Sequence, residues 1–189
     1  MYGEDGDDEM YTSVYGNNEL SGGKGDDLLL GATPSDSDNA RWFNLNRNLN
    51  EDFNRSVTNS YGNLDLLGGP GDDFIMGSYG NDDIYGGEGD DIIYGNQIGS
   101  SLYGNDYIEG GPGDDFIAGV DAADGTDSVY KGGPGNDTIG AGYPSNGPDG
   151  ELYGFTTDLL DSNVGADTNV FLYGDDGDDT VYGADSLTA

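Results

Sequence analysis

The chain has 189 residues, with 38 Asp and Glu against 5 Lys and Arg and a formal net charge of -33. With 33% hydrophobic residues and a mean hydropathy of -0.62, a core of ordinary width is excluded, and like-charge repulsion opposes any fold lacking bound cations. The absence of Cys and His excludes disulfides and zinc–thiolate sites and removes the commonest general base, while the acidity excludes nucleic acid as a partner.

The pattern begins almost at the first residue, with Gly3-Glu4-Asp5-Gly6-Asp7-Asp8-Glu9-Met10. No signal peptide reads ahead of it, so the expectation is a mature chain, a fragment or a product of a signal-free secretion route. No stretch approaches the roughly 20 apolar residues that span a membrane. From Gly68 to Tyr94 the repeat is uninterrupted, with Gly68-Gly69-Pro70-Gly71, Gly77-Ser78-Tyr79-Gly80 and Gly86-Gly87-Glu88-Gly89 opening successive nine-residue units. A fixed period of this length implies a solenoid.

Each unit is numbered so that its second obligatory glycine is position 4: Gly6, Gly16, Gly25, Gly62, Gly71, Gly80, Gly89, Gly104, Gly113, Gly125, Gly135 and Gly177. Position 8 is then Met10, Leu20, Leu29, Leu66, Ile75, Ile84, Ile93, Ile108, Ile117, Val129, Ile139 and Val181, always aliphatic or Met. A short strand over positions 7 to 9 turns only its middle side chain inward, so these residues are the expected core. Position 6 is Asp8, Asn18, Asp27, Leu64, Asp73, Asp82, Asp91, Asp106, Asp115, Asp127, Asp137 and Asp179. An aspartate at one fixed place in a glycine turn implies a ladder of metal ligands, and calcium is the cation suited to six to eight hard oxygens.

The nonapeptide Gly-Gly-x-Gly-x-Asp-x-aliphatic-x resembles the RTX, or haemolysin-type, calcium-binding repeat. That resemblance implies an all-β fold, a right-handed parallel β-roll (a β-solenoid) with two nonapeptides per turn. It also implies calcium between units one turn apart, held by the position-6 carboxylates and by carbonyls of the glycine turns. The expected ligand turns are those of Gly23 and Gly25, Gly69 and Gly71, Gly87 and Gly89, Gly111 and Gly113, and Gly133 and Gly135. Such chains stay unfolded in low cytosolic calcium and fold outside the cell.

Two units per turn sort alternate repeats onto two edges. The first edge takes Asp8, Asp27, Asp73, Asp91, Asp115, Asp137 and Asp179, mostly behind a Gly-Gly pair. The second takes Asn18, Leu64, Asp82, Asp106 and Asp127, with a degenerate unit at Thr168 to Tyr173; Tyr15, Tyr61, Tyr79 and Tyr103 precede its glycines, and the insertions fall on it. About six inter-turn sites are expected on the first edge and about two on the second, roughly eight calcium ions in all.

The whole of 1–189 reads as a single roll with inserted loops at about 34–60 and 141–167. The first insert carries Trp42, Phe43, Leu45, Leu49 and Phe53 with Arg41, Arg47 and Arg55, at a spacing that suits a short amphipathic helix or a loop folded back on the roll. Trp and Arg also favour an interface, so this insert and the Tyr edge are candidate contacts for protein or carbohydrate. The second reads as a loop rich in turn formers. No arrangement of base and nucleophile is recognisable, so no catalytic site is expected. The functional expectation is a calcium-folded extracellular structural or surface protein stacking end to end; the alternative is a non-catalytic module of a larger secreted enzyme, toxin or adhesin.

Overall fold

The computed structural model describes residues 1–12, 17–34, 57–59, 62–95, 104–119, 128–141, 143–146, 152–156 and 170–182. These residues hold eighteen strands and no helix. In chain order, the first coil is β1 (Tyr2–Asp5) and β2 (Glu9–Tyr11), and the second is β3 (Asn18–Lys24) and β4 (Leu28–Leu30). A pair at the base of the first insert follows, β5 (Ala32–Pro34) and β6 (Val57–Asn59). Coils three to five are β7 (Leu64–Pro70) with β8 (Phe74–Met76), β9 (Asp83–Glu88) with β10 (Ile92–Tyr94), and β11 (Tyr107–Glu109) with β12 (Phe116–Gly119). The sixth is β13 (Ser128–Pro134) with β14 (Thr138–Ala141), then a pair β15 (Tyr143–Asn146) and β16 (Leu152–Thr156), and the seventh is β17 (Val170–Asp176) with β18 (Thr180–Tyr182).

The first strand of every coil joins one parallel sheet, ordered β1-β3-β7-β9-β11-β13-β17, and the second strand joins another, ordered β18-β14-β12-β10-β8-β4-β2. This is a parallel β-roll of seven coils, two repeat units to a coil, and at about 4.8 Å per strand it is roughly 30 Å long. Strand register follows the repeat: Ile75 pairs with Ile93, Ile93 with Ile117 and Ile117 with Ile139.

The expected core is present except at Val129, whose place Tyr130 takes, and at Val181 in the last coil, which is 45% exposed. Leu20, Leu66, Ile84 and Ile108 from one sheet meet Met10, Leu29, Ile75, Ile93, Ile117 and Ile139 from the other in one buried column. Leu64, where an aspartate would stand, joins it. One inward side chain per strand is therefore enough for a chain so poor in apolar residues.

One unit is phased differently from the sequence reading. Tyr107 pairs with Val129 and Ile108 with Tyr130, so Tyr130, fully buried, occupies the core place expected for Val129. Ser128 then stands at position 6. This register keeps the nine-residue spacing to Gly132-Gly133, whereas Val129 at position 8 would need an extra residue before that pair. A one-residue slip flips every side chain of a strand. The phenol fits because β12 ends in glycine: a Cβ at Gly119 would collide with the Tyr130 ring and hydroxyl.

A second apolar layer lies on the outer face of the β2–β18 sheet, where positions 7 and 9 point away from the core. Leu28, Leu30, Phe74, Met76, Tyr94 and Ala118 are buried there, with Phe74 and Tyr94 ring centroids 5.8 Å apart and those of Tyr94 and Phe116 6.1 Å apart. The outer face of the other sheet is open, with Leu67, Tyr85, Phe171 and Tyr173 each about 39–47% exposed.

The insert at 141–167, expected as a loop, contains the antiparallel pair β15–β16, which lies beside β12 and β14. At the other insert, β5 and β6 pair antiparallel. The expected amphipathic stretch with Trp42 and the arginines lies outside the described residues, as do Tyr15, Tyr61 and Tyr103.

Candidate metal centre

The first-edge turns are built from glycine for two separate reasons. Positions 2 and 4 need a backbone that L side chains avoid: Gly69 and Gly71 have φ of 124° and 143°, and Gly23, Gly25, Gly87, Gly89, Gly111, Gly113, Gly133 and Gly135 share this region. Position 1 needs room instead. A Cβ at Gly68 would collide with Asp73 Oδ2 and with the Gly86 carbonyl of the next coil. The same holds at Gly22 with Asp27 and the Gly68 carbonyl, and at Gly86 with Asp91 and the Gly110 carbonyl.

The seven first-edge aspartates form an unbroken ladder. Oδ1 of each one after Asp8 accepts the backbone N–H of the aspartate one coil earlier: Asp8 to Asp27 at 2.7 Å, Asp27 to Asp73 at 2.7 Å and Asp73 to Asp91 at 2.8 Å. Asp91 to Asp115 and Asp115 to Asp137 follow at 2.9 Å, and Asp137 to Asp179 at 3.0 Å. Position 5 carries a counter-running ladder on the exterior. Its side chains accept from the coil that follows, as Asp72 does from Asp90 and Asp90 from Asp114, each at 2.9 Å.

The other carboxylate oxygen of the inner ladder is the telling atom. Oδ2 of Asp27, Asp73, Asp91, Asp115 and Asp137 is buried without a hydrogen-bond partner, although these residues are only 1–2% exposed. A buried unpaired carboxylate oxygen is costly, and five stacked one per coil require a shared remedy. Burial pushes the Asp73 and Asp115 carboxyls up to about 7 and that of Asp91 to about 8, with neighbouring carboxylates adding to the rise and the ladder N–H opposing it. Asp27 and Asp137 are raised for the same first reason.

This donor set fits calcium. Beside their position-1 glycines, Oδ2 of Asp27, Asp73, Asp91 and Asp115 each lie next to a carbonyl of the next coil, and both are hard oxygens. Among the described residues no three acidic side chains converge on one point, so the remaining ligands would be backbone carbonyls and water.

The second edge differs in kind. Its position 5 is an asparagine ladder in which the amides of Asn63, Asn81 and Asn105 donate to Asn17, Asn63 and Asn81 at 3.0–3.3 Å. No described position-2 or position-4 residue on this edge has positive φ. Asp82 is not orphaned: Oδ2 accepts the Ser78 N–H at 2.5 Å, and Oδ1 accepts the Leu64 N–H at 2.9 Å. Asp106 is buried and accepts the Asp82 N–H at 3.0 Å, while its own N–H donates to Ser128 Oγ. Asp127 lies outside the described residues. The ladder partner supplied at that coil is Ser128, which the sequence reading passed over; its spacing to Gly132 was the available signal.

A parallel β-solenoid with a buried carboxylate ladder at a glycine-turn edge defines a metal-binding repeat protein. Residues 67–97, 101–129 and 157–185 match the RTX calcium-binding nonapeptide repeat, in 4 copies. The chain belongs to the family of proteins carrying these repeats, and its repeats form a calcium-binding module. No curated protein matches it.

Proposed function

We propose that the chain is a calcium-folded extracellular structural protein, a single roll over 1–189 whose metal ions sit along one edge. The observation that supports this reading is the row of five orphaned Oδ2 atoms. Asp27, Asp73, Asp91, Asp115 and Asp137, with Asp8 and Asp179 at the ends of the ladder, would each present one oxygen to an ion between coils, and the glycine-turn carbonyls would complete the shell. Bound calcium supplies the positive charge that the stacked carboxylates need, and because the unfolded chain has no preformed site, binding free energy becomes folding free energy. Millimolar calcium outside the cell and scarce calcium inside would then confine the fold to the exterior.

Equilibrium dialysis against calcium measures the claim. About six ions per chain is the expected count for a seven-rung ladder; no uptake would overturn the reading.

Assembly is the finer part of the proposal. The strands β1 and β2 at one end of the roll, and β17 and β18 at the other, are outermost in their sheets, and Tyr2 and Val181 on them are 73% and 45% exposed. Unpaired edges of this kind template further strands, which supports end-to-end stacking of copies. Further coils of a longer secreted protein would cover the same edges, giving a non-catalytic module instead. Sedimentation in calcium and in chelator separates them: calcium-dependent polymers support stacking, and a compact monomer in calcium favours the module.

A further inference from the structure

One turn on the second edge holds a buried aspartate yet presents no free oxygen, and a single residue accounts for it. We propose that Ser78 stands in for the metal ion at the Asp82 turn, so that this turn closes without calcium and binds none. The inference rests on the calcium reading of the first edge, with which it contrasts inside one molecule.

The cradle itself is the same on both edges. A Cβ at Gly77 would meet the Gly95 carbonyl of the next coil and Asp82 Oδ2, as one at Gly68 would meet the Gly86 carbonyl and Asp73 Oδ2. The difference comes one residue later. In the fourth coil, position 2 of the first edge is Gly87, with φ of 131°, and its N–H runs along the roll to the Gly110 carbonyl at 2.8 Å. Ser78 has no such φ. Its N–H turns inward and donates to Asp82 Oδ2 at 2.5 Å.

The hydroxyl completes the substitution. Ser78 Oγ lies 2.7 Å from the Gly62 carbonyl of the preceding coil and 3.2 Å from Asp82 Oδ1, and it accepts the Gly80 N–H at 3.0 Å. One side chain thus bridges a carbonyl of one coil to the carboxylate of the next, the connection that an inter-coil cation makes on the first edge. Both residues are buried, Ser78 at 0% and Asp82 at 1% exposure. A calcium ion at this oxygen would face the positive end of the Ser78 N–H dipole. It would also have to break a charge-assisted hydrogen bond, the stronger kind, and strand a buried donor. The sign of φ at position 2 therefore decides whether a position-6 aspartate faces a cation or a hydrogen.

Native mass spectrometry of the folded chain at saturating calcium, counting bound ions, tests this on four proteins: wild type, Asp82→Asn, Ser78→Gly and Asp91→Asn. The proposal expects Asp82→Asn to keep the wild-type count and Ser78→Gly to gain one ion per chain. Loss of one ion in Asp82→Asn, or no gain in a folded Ser78→Gly, overturns it. Should Ser78→Gly fail to fold, Asp82→Asn alone decides. The Asp91→Asn arm reads the first edge separately: an unchanged count there defeats the calcium ladder, whereas a loss confined to Asp82→Asn defeats only the role of Ser78.

Discussion

The backbone N–H of Asp73 donates to Oδ1 of Asp91, 2.8 Å away in the next coil, while Oδ2 of the same Asp91 is buried without a partner. One oxygen therefore ties the coils together, and the other is the oxygen that the proposed calcium ion would take. Asp91→Asn keeps a carbonyl oxygen for the ladder and removes the charge. The calcium concentration for half-folding should rise at least about tenfold, since loss of even an outer-shell partner costs that much in metal affinity. Asp90→Asn is the control. Asp90 is exposed and accepts only the Asp114 N–H, and Asn136 already fills the equivalent role by accepting from Asp178 at 3.1 Å. Its midpoint should move by less than about threefold.

Gly86 tests the cradle by volume alone. It lacks a positive φ, so alanine imposes no backbone strain, yet its Cβ would collide with Asp91 Oδ2 and the Gly110 carbonyl. Gly86→Ala should lose one bound ion and raise the calcium midpoint, both read in the same titration. An unchanged ion count would place the metal elsewhere.

The pH dependence has a definite sign. In the calcium-free roll burial holds Asp73 and Asp115 at about 7 and Asp91 at about 8, against an ordinary 3.8. Between these limits the folded state binds more protons than the unfolded one, so stability is present near pH 4 and is lost as pH rises through 7 to 8. In chelator, strand signal in far-ultraviolet circular dichroism should grow as pH falls from 8 toward 4. With calcium the dependence largely disappears above pH 6, because the carboxylates of the unfolded chain, ordinary at 3.8, and those holding the ion are both ionised there, so half-folding should need no more calcium at pH 6 than at pH 8.

Tyr130 and Gly119 form a pair that reports on register. Gly119→Ala drives a methyl into the phenol and should destabilise the calcium-bound roll by roughly 1–3 kcal/mol. In a Tyr130→Ile background the same substitution should cost much less, a non-additivity expected only of touching residues. Chemical denaturation of the four proteins in calcium measures it; simple additivity would restore Val129 to the core.

The first edge was legible in the sequence because Gly22-Gly23, Gly68-Gly69, Gly86-Gly87, Gly110-Gly111 and Gly132-Gly133 mark five of its seven turns without ambiguity, and Asp follows at a constant distance. The second edge lacks that punctuation. Near Ser128, phasing on Gly125 and Val129 looked as regular as the true spacing to Gly132, and it hid Tyr130 in the core. The outer apolar layer was hidden for another reason: its positions hold Leu28, Phe74 and Tyr94 in some coils but Glu9 and Thr138 in others. Residue types also carry no amide directions, so the sequence does not separate Asp82 from Asp73, whereas the Ser78 N–H, which points at Asp82 alone, does.

The central claim is that calcium drives the folding, and the most direct measurement is far-ultraviolet circular dichroism of the chain at neutral pH, first in chelator and then through millimolar calcium. The account predicts a disordered spectrum that converts cooperatively to a strand spectrum and reverts when chelator is restored. A strand spectrum already present in chelator and unmoved by calcium would contradict it.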